Sequence, residues 1–379
     1  STSIAPGLQD TWHAELGQGV LFDFSRRNLA DFDAEQVVER LAVAAAADPR
    51  RHPISLDLGE NELGDHGVCT ILRGVSQDIN VVAFSLRNNG FGDGGADGVV
   101  EFLERFPSAT TVDLTGNRIM APGAERLAEA LAAHPRLEIF WVGHNQIGVH
   151  GAERLAGALE RLGEGRALTA MDFSGNRIGL GGARRLQEVV SKNTVLRTLM
   201  FSHNDFQDRE AEAIAPLLQH NHTLTFLDLS HNRIRLQGAS CIARRLAENR
   251  GLVDLTLSVN EIGPSGATEF AAALKKNRTL RSLDLSGNSV QNAGANALAE
   301  ALEVNGVLVA LGLACNYISD AGAQKIVDAL SREDSAPLEE LCLPGNRLSR
   351  DLVDALKMVG VHKGITTLDL GNQSPDRSS

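Results

Sequence analysis

One phrase, L-x-L-x-x-N-x-I, recurs along this chain and constrains its fold more than any other feature. Clear copies are Leu56–Leu63, Val112–Ile119, Leu227–Ile234 and Leu283–Val290. Its asparagine occurs eleven times, and eight of the ten successive gaps are 28 residues long. The asparagines are Asn61, Asn89, Asn117, Asn145, Asn176, Asn204, Asn232, Asn260, Asn288, Asn316 and Asn346. Such a period indicates stacked supersecondary units that bury one continuous core.

Each residue type in the phrase predicts a local structure. The L-x-L alternation predicts a short strand with two apolar side chains pointing inward and one side chain pointing outward. The asparagine follows where the chain leaves the strand, and its amide can hydrogen-bond backbone groups of its own loop and of the next coil. We therefore expect the eleven asparagines to form a buried hydrogen-bonded ladder.

The second half of each repeat predicts a helix. Gly stands six residues after the asparagine in nine of eleven repeats, and the phrase G-A-x-x-L-A-x-A-L follows, as in Gly123–Leu131 and Gly294–Leu302. Its apolar spacing of three and four residues is typical of an amphipathic helix, and its small residues allow close packing. The predicted fold class is an α/β solenoid, a horseshoe with a parallel concave sheet, convex helices and about thirteen strands.

The domain organisation follows from where the repeats begin and end. We expect a lead-in over residues 1–20, one repeat domain over 21–373 and a polar tail over 374–379. The end units, Phe22–Arg27 and Leu368–Gln373, replace the ladder asparagine with Arg27 and Gln373, as capping units do.

The 28-residue period with a full helix resembles the ribonuclease-inhibitor-like leucine-rich repeats. The resemblance covers residues from about 21 to 372, and the wording of Ala272–Asn288 is similar to that of the NOD-like receptor and Ran GTPase-activating protein repeat domains. It implies a horseshoe that binds other proteins. The long acidic tail expected of the Ran GTPase-activating protein is absent from residues 374–379.

The charge and composition of the chain limit which classes of partner we expect. The formal net charge of -12 argues against a phosphate-backbone binder and favours a protein partner with a basic or mixed surface. The sequence has no stretch of 18 uninterrupted apolar residues, so we expect no membrane insertion. Its four scattered cysteines fit a reducing, cytoplasmic compartment. Two N-x-[ST] sequons, at Asn221 and Asn277, are expected to be incidental loop residues.

The outward residue of each predicted strand is the candidate partner-binding position. Aspartate occupies it in every second repeat from Asp57 to Asp284, and Trp141 and Met200 occupy two of the positions between. The candidate set is Asp57, Asp113, Trp141, Asp172, Met200, Asp228 and Asp284. One interpretation is a spaced acidic stripe that receives Lys or Arg side chains, with Trp141 as an apolar anchor. The alternative is a solvated face that carries a family-typical L-D-L phrase.

The chemistry-bearing side chains do not predict an enzyme. His203 and His231 lie in neighbouring repeats, but a stable metal site needs three or four ligands. Cys342 occupies an outward position without an obvious histidine nearby, so we do not expect a nucleophile. No phosphate-binding loop, hydrolase elbow or metalloprotease motif occurs, and no cofactor is expected.

These observations favour a non-catalytic interaction scaffold or adaptor that uses the concave face and the adjoining rim, either alone or as a subunit of a larger assembly. Two alternatives stay open: a regulator of a small GTPase, and a microbial effector that binds a host protein.

Overall fold

The computed structural model describes residues 20–47, 52–162 and 167–371. Within them the chain forms two compact units, an N-terminal unit that ends at Met200 and a C-terminal unit that begins at Phe201. The predicted lead-in, except Val20, lies outside the described residues, as do Gln373 and the tail over 374–379.

The N-terminal unit alternates strands and helices. Its strands are β1 (Val20–Asp23), β2 (Ile54–Asp57), β3 (Val81–Ser85), β4 (Thr111–Asp113), β5 (Ile139–Trp141), β6 (Ala170–Asp172) and β7 (Thr198–Met200). Its helices are α1 (Ala34–Ala47), α2 (Asp65–Gly74), α3 (Asp93–Arg105), α4 (Ala121–Ala133), α5 (Gly148–Arg161) and α6 (Gly179–Val190), with a 3₁₀ turn over Asp31–Asp33.

The C-terminal unit continues the alternation. Its strands are β8 (Phe226–Asp228), β9 (Asp254–Thr256), β10 (Ser282–Asp284), β11 (Ala310–Gly312), β12 (Glu340–Cys342) and β13 (Thr367–Asp369). Its helices are α7 (Asp208–Ile214), α8 (Pro216–His220), α9 (Leu236–Leu246), α10 (Gly263–Leu274), α11 (Gln291–Leu302), α12 (Asp320–Leu330) and α13 (Arg350–Lys363).

Both units have the predicted two-layer architecture. Consecutive strands pair in parallel, and equivalent residues of successive repeats are aligned, as in Leu283 with Leu255 and Leu311. Consecutive helices pack on one another as a second layer. The described residues contain the thirteen strands that the repeat predicts, seven in one unit and six in the other, so the predicted fold class of a leucine-rich-repeat solenoid is confirmed.

Small residues set the spacing of the helix layer. A Cβ atom added to Gly294 would lie 2.8 Å from the Cβ of Ala267, and one added to Gly238 would lie 2.7 Å from the Cβ of Ala211. Such contacts are closer than packed side chains tolerate. At these two positions glycine is therefore required by the close approach of the preceding helix.

A layer of buried asparagine side chains lies at the ends of the strands, and all eleven asparagines have at most 7% exposure. Asn232 is representative: its Nδ2 donates to the carbonyl oxygens of Phe201 and Leu229, both at 3.0 Å. Its Oδ1 accepts from the amides of Asn204 and Phe206, again at 3.0 Å. Each asparagine thus joins its own turn to the preceding coil.

The C-terminal unit has a second asparagine ladder, which lies where the helices lead back to the strands. Asn249 donates through Nδ2 to the carbonyls of Leu218 at 2.7 Å and Asn221 at 3.1 Å. Asn277 repeats this pattern one coil later. Asn221 and Asn277 are 3% and 1% exposed, so these two sequons are structural ladder positions and not incidental loop residues.

We expect Asn232→Ala to lower the free energy of unfolding by about 3 kcal/mol, because it leaves several buried backbone groups without hydrogen-bond partners. Urea unfolding, with circular dichroism as the signal, measures this loss. Gln324→Ala, which removes an exposed amide from α12, is the matched control and should change stability by less than about 0.5 kcal/mol. Equal stability of the two variants would contradict the role of the ladder.

Candidate functional site: the open face of the sheet

The open face is the surface of each unit's sheet opposite its helices. Two residues of each three-residue strand face it, and the residue between them is buried towards the helices. In β5 these are Ile139 and Trp141, with fully buried Phe140 between them. Parallel pairing aligns the second outward residues, so that Trp141 lies between Asp113 and Asp172.

The five predicted aspartates lie on the open face, but four of them are buried, contrary to the expectation of accessible carboxylates. Asp57, Asp113, Asp172 and Asp284 are only 1%, 4%, 8% and 8% exposed. Asp228 is half-buried. Both sequence interpretations, the acidic stripe and the solvated face, assume exposed carboxylates and need this correction.

The cause is a hydrogen bond within each repeat. The Oδ1 atom of each of the five aspartates accepts from the backbone amide two residues later, at 2.7–3.0 Å. The amide becomes available because the strand ends there, and aspartate is a residue that makes this local turn readily. The primary role of the aspartate in the L-D-L phrase is therefore to stabilise the turn at the end of its own strand.

In the N-terminal unit, Arg87 lies beside the carboxylates of the open face. The side chain of Arg87 crosses Gly59, where an added Cβ would lie 2.7 Å from the arginine Cγ and 3.0 Å from Oδ1 of Asp57. The Nη2 atom of Arg87 lies 3.1 Å from Oε1 of Glu60, and the guanidinium also attracts the Asp113 carboxylate. A partner's basic side chain would have to compete with Arg87 at this end of the unit.

In the C-terminal unit the open face holds carboxylates that the sequence interpretation missed. Asp254 and Glu340 occupy the first outward position of β9 and β12, and both are half-buried. Burial raises the pKa of Asp254, and Arg281 opposes that shift. Burial likewise raises the pKa of Asp228. Reading both outward residues of each strand, instead of the second alone, would have found Asp254 and Glu340.

The residue before each ladder asparagine has a left-handed backbone in all eleven repeats, with φ between 51° and 74°. Glycine, which tolerates this conformation, occupies four of the positions: Gly116, Gly175, Gly287 and Gly345.

His203 and His231 occupy two others, with their rings stacked at 4.1 Å between centroids and 14° between planes. No group of three metal-ligating side chains occurs within residues 20–47, 52–162 and 167–371.

Cys342 lies at the predicted outward strand position, but its side chain is buried. It is 5% exposed, and burial raises the pKa of its thiol to about 11. A thiol with this pKa is protonated at neutral pH, whereas a cysteine nucleophile acts as the thiolate.

Among the described helices, none is long and apolar enough to cross a membrane.

Comparison with known proteins supports the leucine-rich repeat family. Residues 192–215, 220–243 and 276–299 each match a family model described as a Leucine Rich repeat. No curated protein matches the chain.

The solved structures that are similar to the chain include the following three. A chain of the yeast Rad7–Elc1 complex is 14% identical, with a TM-score of 0.54 over 88% of this chain and 77% of that chain. Actin-binding site 2 of leiomodin-1 is 24% identical and the tropomodulin C-terminal domain of Caenorhabditis elegans is 16% identical, each with a TM-score of 0.35. Each of these two covers 41% of this chain, and this chain covers 88% and 92% of them respectively. At these identities the likeness to the Rad7–Elc1 chain concerns the fold alone.

We expect Asp113→Asn to stabilise the protein at neutral pH. Asparagine keeps the Oδ1 acceptor for the Thr115 amide but removes a buried charge, and burial raises the pKa of the wild-type carboxyl. The wild type therefore loses stability as pH rises from the ordinary aspartate range through the raised folded pKa. The advantage of Asp113→Asn, measured by urea unfolding, should be largest near pH 7 and should fade towards pH 4.

Two further variants separate the turn from the charge. Asp113→Ala should lower stability by about 1 kcal/mol even at acidic pH, because it removes the acceptor. Asp334→Asn, in an exposed loop, controls for the loss of one negative charge. A pH-independent difference between Asp113→Asn and wild type would contradict the role of the buried charge.

Proposed function

We propose that this chain is a non-catalytic protein-interaction scaffold that binds its partner on the open face of the sheet and the adjoining rim. We further propose that it belongs to the ribonuclease-inhibitor-like class of leucine-rich repeats and works in the cytoplasm. The partner segment is basic or mixed in charge. Regulation of a small GTPase and binding of a host protein stay as alternatives, since no observed contact favours either.

The observation that carries the proposal is the fixed array of carboxylates on the open face of the C-terminal unit. Asp228, Asp254, Asp284 and Glu340 occupy outward positions on four strands. Sheet pairing holds their backbones in register, and strand-end hydrogen bonds orient Asp228 and Asp284. A partner that meets such an array loses little free energy in ordering the scaffold.

The chemistry of this array favours basic side chains over other ligands. Burial raises the pKa of Asp228 and Asp254 because their ionised forms are poorly solvated, and a nearby ammonium or guanidinium group would stabilise those forms. Small neighbours on the same face, Ser282, Ala310 and Gly312, leave space for long lysine and arginine side chains.

We expect the double variant Asp254→Lys and Glu340→Lys to lose a protein partner that the wild type captures from a cell extract. These two positions make no strand-end turn of the kind formed by Asp284, so charge reversal leaves that hydrogen bond in place. Quantitative mass spectrometry of the captured proteins should show a decrease of at least tenfold, about 1.4 kcal/mol, for that partner. Its capture by wild type should also weaken as pH falls, since burial raises the pKa of Asp228 and Asp254 and their protonation removes two negative charges.

The matched control is Glu300→Lys with Asp328→Lys, which makes the same change of charge on exposed helix positions of the same unit. It should capture the partner as wild type does. Identical capture by all three proteins would contradict the open-face proposal. Acceleration of GTP hydrolysis on a panel of small GTPases would contradict its non-catalytic part.

A further inference from the structure

The open face of the N-terminal unit carries one apolar cluster, formed by Ile139, Trp141 and Ala170, with Met200 packed against it. All four occupy outward strand positions, where β2 and β4 carry serine, threonine and aspartate. Ile139, Trp141 and Ala170 are 8%, 6% and 8% exposed, whereas Met200 is half-buried. Met200 is therefore the most accessible member of the cluster, and its flexible side chain can change rotamer with little strain.

Trp141 has an unsatisfied polar group. Its indole Nε1 is buried and has no hydrogen-bond partner within the described part of the chain. Buried donors without acceptors are rare in native proteins because they lose their hydrogen bonds to water without replacement. A ligand that supplied an acceptor to this indole N–H would therefore replace a missing hydrogen bond.

The neighbours of Trp141 restrict what can bind beside it. Asp113 precedes it on β4 and Asp172 follows it on β6, each one strand away, or about 5 Å. A bound carboxylate would meet two like charges there, whereas a lysine or arginine next to an apolar residue would meet opposite ones. The neutral acceptor that fits between them is a main-chain carbonyl.

We propose that this cluster is the anchor site for an extended segment of the protein partner, in which a large apolar side chain is flanked by lysine or arginine. The apolar side chain packs on Trp141 after Met200 moves aside, and a main-chain carbonyl of the segment accepts from the indole N–H. One basic side chain lies towards Asp172, and a second competes with Arg87 for Asp113. This assignment rests on the proposed function and specifies the chemistry of the partner for the N-terminal unit.

The test uses the full chain and a fluorescein-labelled octapeptide of alternating lysine and leucine, with binding measured by fluorescence anisotropy. We expect saturable binding, and binding at least tenfold weaker for the matched octapeptide of alternating glutamate and leucine. Trp141→Phe, which keeps an aromatic ring but lacks the N–H, should weaken binding about tenfold, the equivalent of about 1.4 kcal/mol. Asp172→Asn, which keeps the strand-end acceptor and removes the charge, should weaken it several-fold.

Matched controls exist for two of the changes. Met200→Lys should abolish binding, whereas Met120→Lys, at an exposed position before α4, should leave it unchanged. Trp12→Phe makes Trp141 the sole tryptophan of the chain, which has two. In that background the lysine–leucine peptide should alter the emission of Trp141 and its quenching by acrylamide.

Two results would overturn the assignment: wild-type affinity in both Trp141→Phe and Met200→Lys, or equal binding of the acidic and basic peptides. If those variants bind normally while Asp254→Lys with Glu340→Lys loses its captured partner, the anchor assignment fails and the scaffold proposal stands. If the peptide does not bind and no open-face variant alters capture, both fail.

Discussion

Hydrogen bonds from side chains to the backbone at the strand ends are the interaction on which the rest of this structure depends. Each strand is only three to five residues long, so most of each coil is turn and loop whose backbone groups lack strand partners. The ladder asparagines satisfy carbonyls and amides of two adjacent coils, and the aspartates satisfy an amide of their own turn. Without these bonds the coils would bury unpaired backbone groups, which folded proteins avoid.

The same bonds determine which side chains remain for binding. An aspartate that holds its own turn is oriented and partly desolvated, so it offers a partner a fixed but only partly exposed carboxylate. Asp254 and Glu340, at the other outward position, make no such turn and are more accessible. The open face therefore combines residues that shape the surface with residues that are available for contact.

Much of the fold could be predicted from the sequence because it depends on residue types at fixed spacing. The Leu pairs, the ladder asparagines and the Gly–Ala phrase each have one structural use at their position. Asp57 and Asp113 were harder to interpret, since a carboxylate can serve a local turn or a partner equally well and the strand boundary decides between them. The position of Arg87 beside these carboxylates depends on contacts between coils, which no local pattern encodes.

Hydrogen–deuterium exchange of the free protein tests the strand-end layer most directly. The amides of Phe206, Ile234 and Val290 lie outside the helices and strands but donate to Oδ1 of the next ladder asparagine at 3.0, 3.0 and 3.2 Å. We predict that they exchange as slowly as amides within the sheet. Exchange as fast as that of Glu333 and Asp334, in an exposed loop, would contradict the account.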